Sequence, residues 1–208
     1  MSHRFLVIDT ATTACSVALF ENDKLVASYF EDIGRGHAEK LVPMIAQLPD
    51  KGRADKIFVN CGPGSFTGVR IGLSAAKALA LAWQAEIAGY QCLALVAAQA
   101  LQNMTQQSPV YVAMLGGHGE YFVQNFESNG HASDALLSLV PDAAQKNRSA
   151  EFYAGSAAAQ LASLTDDATF ETILPDAAQI LALPQNYEYL PTIPIYGRAP
   201  DAQPQDST

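Results

Sequence analysis

Ten residues, Cys61-Gly62-Pro63-Gly64-Ser65-Phe66-Thr67-Gly68-Val69-Arg70, constrain the fold of this chain more than any others. Ile57, Phe58, Val59, Asn60 and Cys61 read as a short buried strand, and the apolar run after Gly68 reads as a long helix. A strand that turns through glycines straight into a helix lets backbone N–H groups come close to whatever lies against the turn. Ser65 or Thr67 is placed to cap the helix, whose first N–H groups lack partners and carry partial positive charge. The segment therefore has the form of an anion cradle, with Gly64, Ser65, Thr67 and Arg70 as contacts. No Lys-Ser or Lys-Thr follows the last glycine, which excludes the nucleoside-triphosphate P-loop. A tight strand-to-helix corner needs the same glycines without any ligand, and Arg70 has a second use in pairing with Asp9 or another carboxylate, so the residues leave both readings open.

Upstream of the turn, residues 5–10, 15–21 and 25–31 read as three strands, with Glu21-Asn22-Asp23-Lys24 as a hairpin turn. A helix over about 37–48 follows, then the strand over 56–61, a helix over about 67–83, a strand over 85–89 and a helix over 93–102. An antiparallel meander followed by alternating helix and strand is the order of the ribonuclease-H-like lobe shared by actin, Hsp70 and sugar kinases. The polar residues 102–108 before Pro109 mark a lobe boundary. Strands over 110–115 and 121–127 then restart the pattern around a glycine turn, and residues 133–183 hold alanine-rich helical stretches and one further strand over 151–154. The expectation is an α/β, two-lobed, actin-like fold. It has a complete first lobe over 1–105, an abbreviated second lobe over 106–198 and a disordered tail over 199–208, where apolar residues almost vanish.

A chain of 208 residues that is 49% apolar is able to bury a proper core. Its formal net charge of −9 repels a polyanion, so contact with nucleic acid is expected only through a basic partner. Cys15, Cys61 and Cys92 are odd in number and far apart, which reads as buried free thiols and neither a disulfide framework nor a zinc pattern. No apolar run has the length of a membrane span or the flanks of a signal peptide, and a cytoplasmic location is the expectation.

The opening Leu6-Val7-Ile8-Asp9-Thr10-Ala11-Thr12, the run Gly36-His37-Ala38-Glu39-Lys40-Leu41-Val42-Pro43-Met44 and the glycine turn resemble, in that order, the bacterial TsaB (YeaZ) family. The likeness continues more weakly through Gly116-Gly117-His118-Gly119-Glu120 and Ile195-Tyr196. The resemblance implies a non-catalytic subunit of the machinery that makes N6-threonylcarbamoyladenosine on tRNA. It would bind and activate the threonylcarbamoyltransferase TsaD together with the ATPase TsaE, reach tRNA only through the complex, avoid membranes and form a homodimer when isolated. No cofactor is then expected on the chain alone, with ATP and magnesium only at a composite interface.

Leu41, Met44, Ile45 and Leu48 line one face of the first long helix, and Val69, Leu73, Ala76, Ala80 and Trp83 line one face of the second. Such faces ordinarily pack on their own sheet, but Ile71, Ala75, Ala78, Leu79, Leu81 and Ala82 make the second helix apolar nearly all round. The resemblance places the partner contact on these two helices, and Leu41, Met44, Ile45, Leu48, Val69, Leu73, Ala76 and Ala80 are the expected contact residues.

Asp9, with Thr10 beside it, ends the first strand where actin-like enzymes place a carboxylate for magnesium, but Ala11 stands where nucleotide-binding relatives put a glycine. Asp9 is then a helper or a hydrogen-bond acceptor for the neighbouring Thr10 and Thr12 hydroxyls, with magnesium binding as the alternative. The second-lobe hairpin keeps its glycines while Met114-Leu115 replaces the acid such a hairpin carries. His37 is followed one turn later by Leu41 where TsaD has a second metal-binding histidine, so no metal site is expected. His118 beside Glu120 has the residue types of an acid and base pair. The rival functions are a small ATP-dependent kinase or ATPase and, more distantly, a glycoprotease-like metallopeptidase.

Overall fold

The computed structural model describes residues 3–165, 168–184, 187 and 189–197; the tail expected over 199–208 lies outside the described residues. Strands β1 (Arg4–Asp9), β2 (Ala14–Glu21) and β3 (Lys24–Asp32) form the antiparallel meander. Its tight turn holds Asn22 and Asp23 at φ 50° and 59°, the left-handed pair that matches the twist of the flanking strands and that these two residue types tolerate.

Helix α1 (His37–Gln47) starts after Gly36, whose φ is 91°. The chain returns as β4 (Lys56–Asn60), parallel to β1, and passes through the glycine turn into α2 (Phe66–Trp83). Ser65 caps that helix, its Oγ accepting the N–H of Gly68 at 3.1 Å, and Gln84 ends it in the left-handed region at φ 56°. Strand β5 (Glu86–Tyr90) pairs parallel with β4, and α3 (Cys92–Asn103) leads out of the sheet, whose order is β3-β2-β1-β4-β5.

The second half contains β6 (Val110–Leu115), β7 (Tyr121–Phe126), β8 (Leu137–Leu139), α4 (Pro141–Lys146), β9 (Phe152–Ala154), α5 (Ala158–Ala162) and β10 (Thr169–Glu171). Its sheet order, β8-β7-β6-β9-β10, repeats the first strand for strand, with the same antiparallel and parallel pairings. Two copies of one five-stranded unit make this the two-lobed actin-like α/β fold. The second copy is abbreviated in length and keeps every strand: β8, β9 and β10 have 3 residues each, and α5 has 5 against 18 in α2. Two of those strands, β8 and β10, correct the expectation of a single strand after residue 133, because three residues carry no readable alternation.

One apolar cluster runs from Leu6 and Ile8 of β1 through Leu93 and Val96 of α3 to Val110, Val112, Phe122 and Phe126. The other face of the second sheet, with Tyr111, Ala113, Val123 and Tyr153, packs on Ala158 and Leu161 of α5. The period-two alternation along β6 divides its side chains between these two cores. Helix α3 is buried from Cys92 to Leu101 and joins the lobes into one packed unit. Among the described residues no helix is long and apolar enough to cross a membrane.

Candidate functional site

The C-terminal ends of the parallel strands β1, β4 and β5 lie side by side, the place where open α/β sheets hold ligands. They bring Asp9, Asn60 and Tyr90 together. Asn60 Nδ2 donates to Asp9 Oδ2 at 2.6 Å, the Tyr90 hydroxyl donates to the same oxygen at 2.8 Å, and the Ala11 N–H donates to Oδ1 at 3.1 Å. Burial pushes the Asp9 carboxyl up to about 6 against the lowering effect of these bonds, and the charge of Asp176 adds to the rise. Burial, then the Asp9 charge, holds the Tyr90 phenol well above its ordinary value.

Both carboxylate oxygens are thus engaged by the chain's own donors, and the group is sealed from solvent. Thr10 is buried too, its hydroxyl donating to the Gly68 carbonyl at 2.7 Å. Asp9 and Thr10, expected as contacts to an anion or nucleotide, here bind the glycine turn and its helix to β1, and the donors on Asp9 are Asn60, Tyr90 and Ala11 in place of the expected Thr10 and Thr12 hydroxyls. Asn60 carries the link further, its Oδ1 accepting the Gly62 N–H at 2.7 Å.

The glycines have a packing reason. A methyl on Gly64 would stand 2.1 Å from the Ala11 carbonyl oxygen, and one on Gly68 would stand 2.1 Å from that of Thr10. The Ser65 N–H donates to the Ala11 carbonyl at 2.7 Å. The start of α2 is therefore pressed onto the β1–β2 turn, which gives Gly64 and Gly68 a packing reason that needs no ligand. Ser65 is occupied as a cap, and Thr67 is exposed. Among the described residues Arg70 meets no carboxylate: its Nη1 donates to the Phe66 carbonyl at 2.9 Å, its Nη2 donates to the Tyr196 hydroxyl at 2.5 Å, and its guanidinium carbon lies 3.3 Å from the centre of the Phe66 ring.

In the β6–β7 turn, Glu120 accepts a hydrogen bond from the Ser138 hydroxyl at 2.6 Å, and His118 stands in the left-handed region at φ 59°. Met114 is buried, and the Leu115 N–H donates to Ser156 Oγ at 2.9 Å, which ties the second hairpin to the turn before α5. His37 is buried with Nε2 3.1 Å from the Ala14 carbonyl oxygen. Among the described residues no group of three or more His, Cys, Asp or Glu is arranged to hold a metal ion. The three cysteines are free and buried, with burial pushing the thiols of Cys15 and Cys61 up to about 11, so they stay protonated at neutral pH.

The two helices divide differently from the expectation. Leu41, Met44, Ile45, Leu48, Val69, Leu73, Ala76 and Ala80 are all buried, none more than 8% exposed, and belong to the main core. The face with the strongest helical periodicity is the one that meets the sheet, so these eight side chains do not reach a partner. The opposite side of α2 is open. Phe66 and Leu81 are 68% and 84% exposed, Ala78 and Ala82 are exposed, and Ile71, Ala75 and Leu79 are half-buried. On α1, Val42 is 59% exposed. Sequence reasoning missed Asn60 and Tyr90 as partners of Asp9; their only signal is that each sits at the end of its strand, level with the end of β1.

Residues 30–188 match the family model described as "TsaD: tRNA N6-adenosine threonylcarbamoyltransferase". The chain is 34% identical over 148 residues to "tRNA threonylcarbamoyladenosine biosynthesis protein TsaB" of Escherichia coli (strain K12), an alignment that takes in 67% of this chain and 63% of that protein. It is 32% identical over 150 residues to the protein of the same description in Buchnera aphidicola subsp. Schizaphis graminum, covering 67% of this chain and 70% of the relative. The solved structure "YeaZ from Pseudomonas aeruginosa" superposes with a TM-score of 0.77 at 26% identity, over 93% of this chain and 99% of that one.

Proposed function

Because this chain belongs to the TsaB (YeaZ) family, we propose that it serves the synthesis of N6-threonylcarbamoyladenosine on tRNA as a scaffold, binding and activating a TsaD-type threonylcarbamoyltransferase that works with a TsaE-type ATPase. The observation that carries this reading is the open side of α2. A long helix whose sheet-facing side is fully used still presents Phe66, Ala78, Leu81 and Ala82 to solvent, with Val42 of α1 exposed on the neighbouring helix. Small side chains there let a second helix approach closely.

A scaffold of this kind acts by differential binding. Contact made only with the active arrangement of the catalytic subunit shifts its population toward that arrangement without any bond chemistry in the scaffold. The acidic surface leaves tRNA to the rest of the complex. The burial of Asp9 and its engagement by Asn60, Tyr90 and Ala11 favour a scaffold over a kinase, since a magnesium ion would have to enter a sealed site and compete with three donors of the chain itself. ATP and magnesium, on this reading, belong to a surface completed by the partners, and an isolated copy pairs with a second copy through the same helices.

The test is co-purification and size-exclusion chromatography with the TsaD-family protein of the same cell. Leu81→Glu combined with Ala78→Arg should abolish the complex while the variant elutes and melts as a folded protein. An undiminished complex in that variant would count against the α2 surface, and failure of the parent chain to bind at all would remove the scaffold reading.

A further inference from the structure

After the second lobe the chain comes back to the first. Leu190 exchanges two backbone hydrogen bonds with Gly89 of β5, its N–H donating at 2.9 Å and its carbonyl accepting at 2.7 Å. The Ile195 N–H donates to the Cys61 carbonyl at 2.7 Å, and the Cys61 thiol donates to the Pro191 carbonyl at 3.7 Å. The Tyr196 hydroxyl accepts from Arg70. Gly197 lies against Phe122 of β7 so closely that a methyl there would stand 2.4 Å from the ring. One short stretch, residues 190–197, therefore touches the ends of β4 and β5, the first turns of α2 and the second lobe.

That stretch is lightly held. Pro191 and Pro194 have no N–H to donate, and the backbone bonds to Gly89 and Cys61 are those that tie it to the strand ends. Ile193 and Tyr196 are 64% and 55% exposed. Ile195 is its apolar contact with the main core, and a segment held by a few backbone bonds and one such side chain opens at a fraction of the cost of global unfolding. Its side-chain anchor is Arg70, whose guanidinium carbon lies 3.3 Å from the centre of the Phe66 ring and 5.4 Å from that of Tyr196 while Nη2 donates to the Tyr196 hydroxyl.

We propose that residues 190–197 are a strap running from the ends of β4 and β5 to Phe122 of the second lobe, and that the Arg70–Tyr196 contact is its latch. Phe66 and Arg70 occupy the first two turns of the helix whose open side receives the partner, so the regulatory part of the proposal rests on the docking reading given above. A polypeptide laid along α2 covers the latch and pins the strap. Docking on one helix is thereby transmitted to the ends of β4 and β5 and, through Gly197 and Phe122, to the second lobe.

Amide hydrogen exchange on the full chain tests both parts. In the free protein, Tyr196→Ala and Arg70→Ala should each speed exchange at Leu190 and Ile195 by at least about tenfold, with the amides of β2 unchanged. Unchanged exchange at both amides in both variants overturns the latch, whether or not a partner binds. Adding the purified TsaD-family protein should slow those two amides in the parent chain by about tenfold or more. Binding without that slowing overturns the coupling. Absence of any binding defeats the docking reading, and the coupling with it, while the strap and latch stand or fall on the free chain.

Discussion

Asn60 donates its side-chain amide to Asp9 across 2.6 Å inside the protein, with the Tyr90 hydroxyl on the same oxygen. A carboxylate in this place is dressed by neutral donors and stays costly to ionise, which is why its pKa rises from 3.8 to about 6 despite three hydrogen bonds. The folded state holds the Asp9 proton more tightly than the unfolded chain does. Its effect on stability is therefore absent below pH 3.8, grows as a penalty as pH rises, and is complete above about pH 6. Replacement by Asn removes that slope. The stability difference between Asp9→Asn and the parent, read from urea midpoints, should shift in favour of the variant by roughly 2 kcal/mol between about pH 4.5 and 7.5. A difference independent of pH would show that Asp9 titrates normally.

Tyr90→Phe isolates one of the donors. It leaves the ring in the core and removes only the hydroxyl that lowers the Asp9 pKa, so the carboxyl should titrate above about 6 and the window of pH-dependent stability should extend upward. The lost hydrogen bond should cost about 1 kcal/mol or somewhat more at neutral pH. Stability measured across pH on parent and variant checks both, and a window that stays in place would mean that the hydroxyl does not bond the ionised acid.

The glycine turn gives a steric prediction with its own control. Alanine at Gly64 or Gly68 places a methyl 2.1 Å from a backbone carbonyl oxygen, and neither backbone is free to retreat because Ser65 N–H and Ala11 are bonded across the same contact. Each substitution should cost about 2 to 4 kcal/mol in thermal or urea unfolding. Gly117→Ala in the other hairpin meets nothing within 4 Å and should leave stability nearly unchanged. Equal small effects at all three positions would mean that the α2 start does not press on the β1–β2 turn.

Much of the architecture was legible because it is written in local patterns. The meander of β1, β2 and β3, the Asn22-Asp23 turn and the strand-to-helix corner at Gly62 each depend on residues adjacent in sequence. The strands β8 and β10 were not legible: three residues show no period, and pairing with β7 and β9 decides them. The site was half legible for a related reason. Asp9 and the glycines stand out as residue types, but whether a carboxylate faces water or Asn60 and Tyr90 is settled by strands 51 and 81 residues away. The amphipathic faces were read correctly as apolar and assigned to the wrong neighbour, since periodicity marks what is buried and does not say by what.

That correction yields the most discriminating mutational pair on α2. Leu73 points into the main core at 4% exposure, and Leu81, two turns on, is 84% exposed. Leu73→Glu places a charge in the main apolar core and should unfold the chain or lower its melting temperature drastically, since such a change is worth several kcal/mol, roughly 3 to 5. Leu81→Glu adds a charge to a site already in water and should leave the melt within about 0.5 kcal/mol of the parent. At an interface, however, the same glutamate is buried against apolar partner surface and should weaken association at least about tenfold. Circular-dichroism melts paired with pull-down on the TsaD-family protein read the two effects separately. A folded Leu73→Glu that loses its partner, beside a Leu81→Glu that keeps it, would move the docking surface back to the face the core now claims.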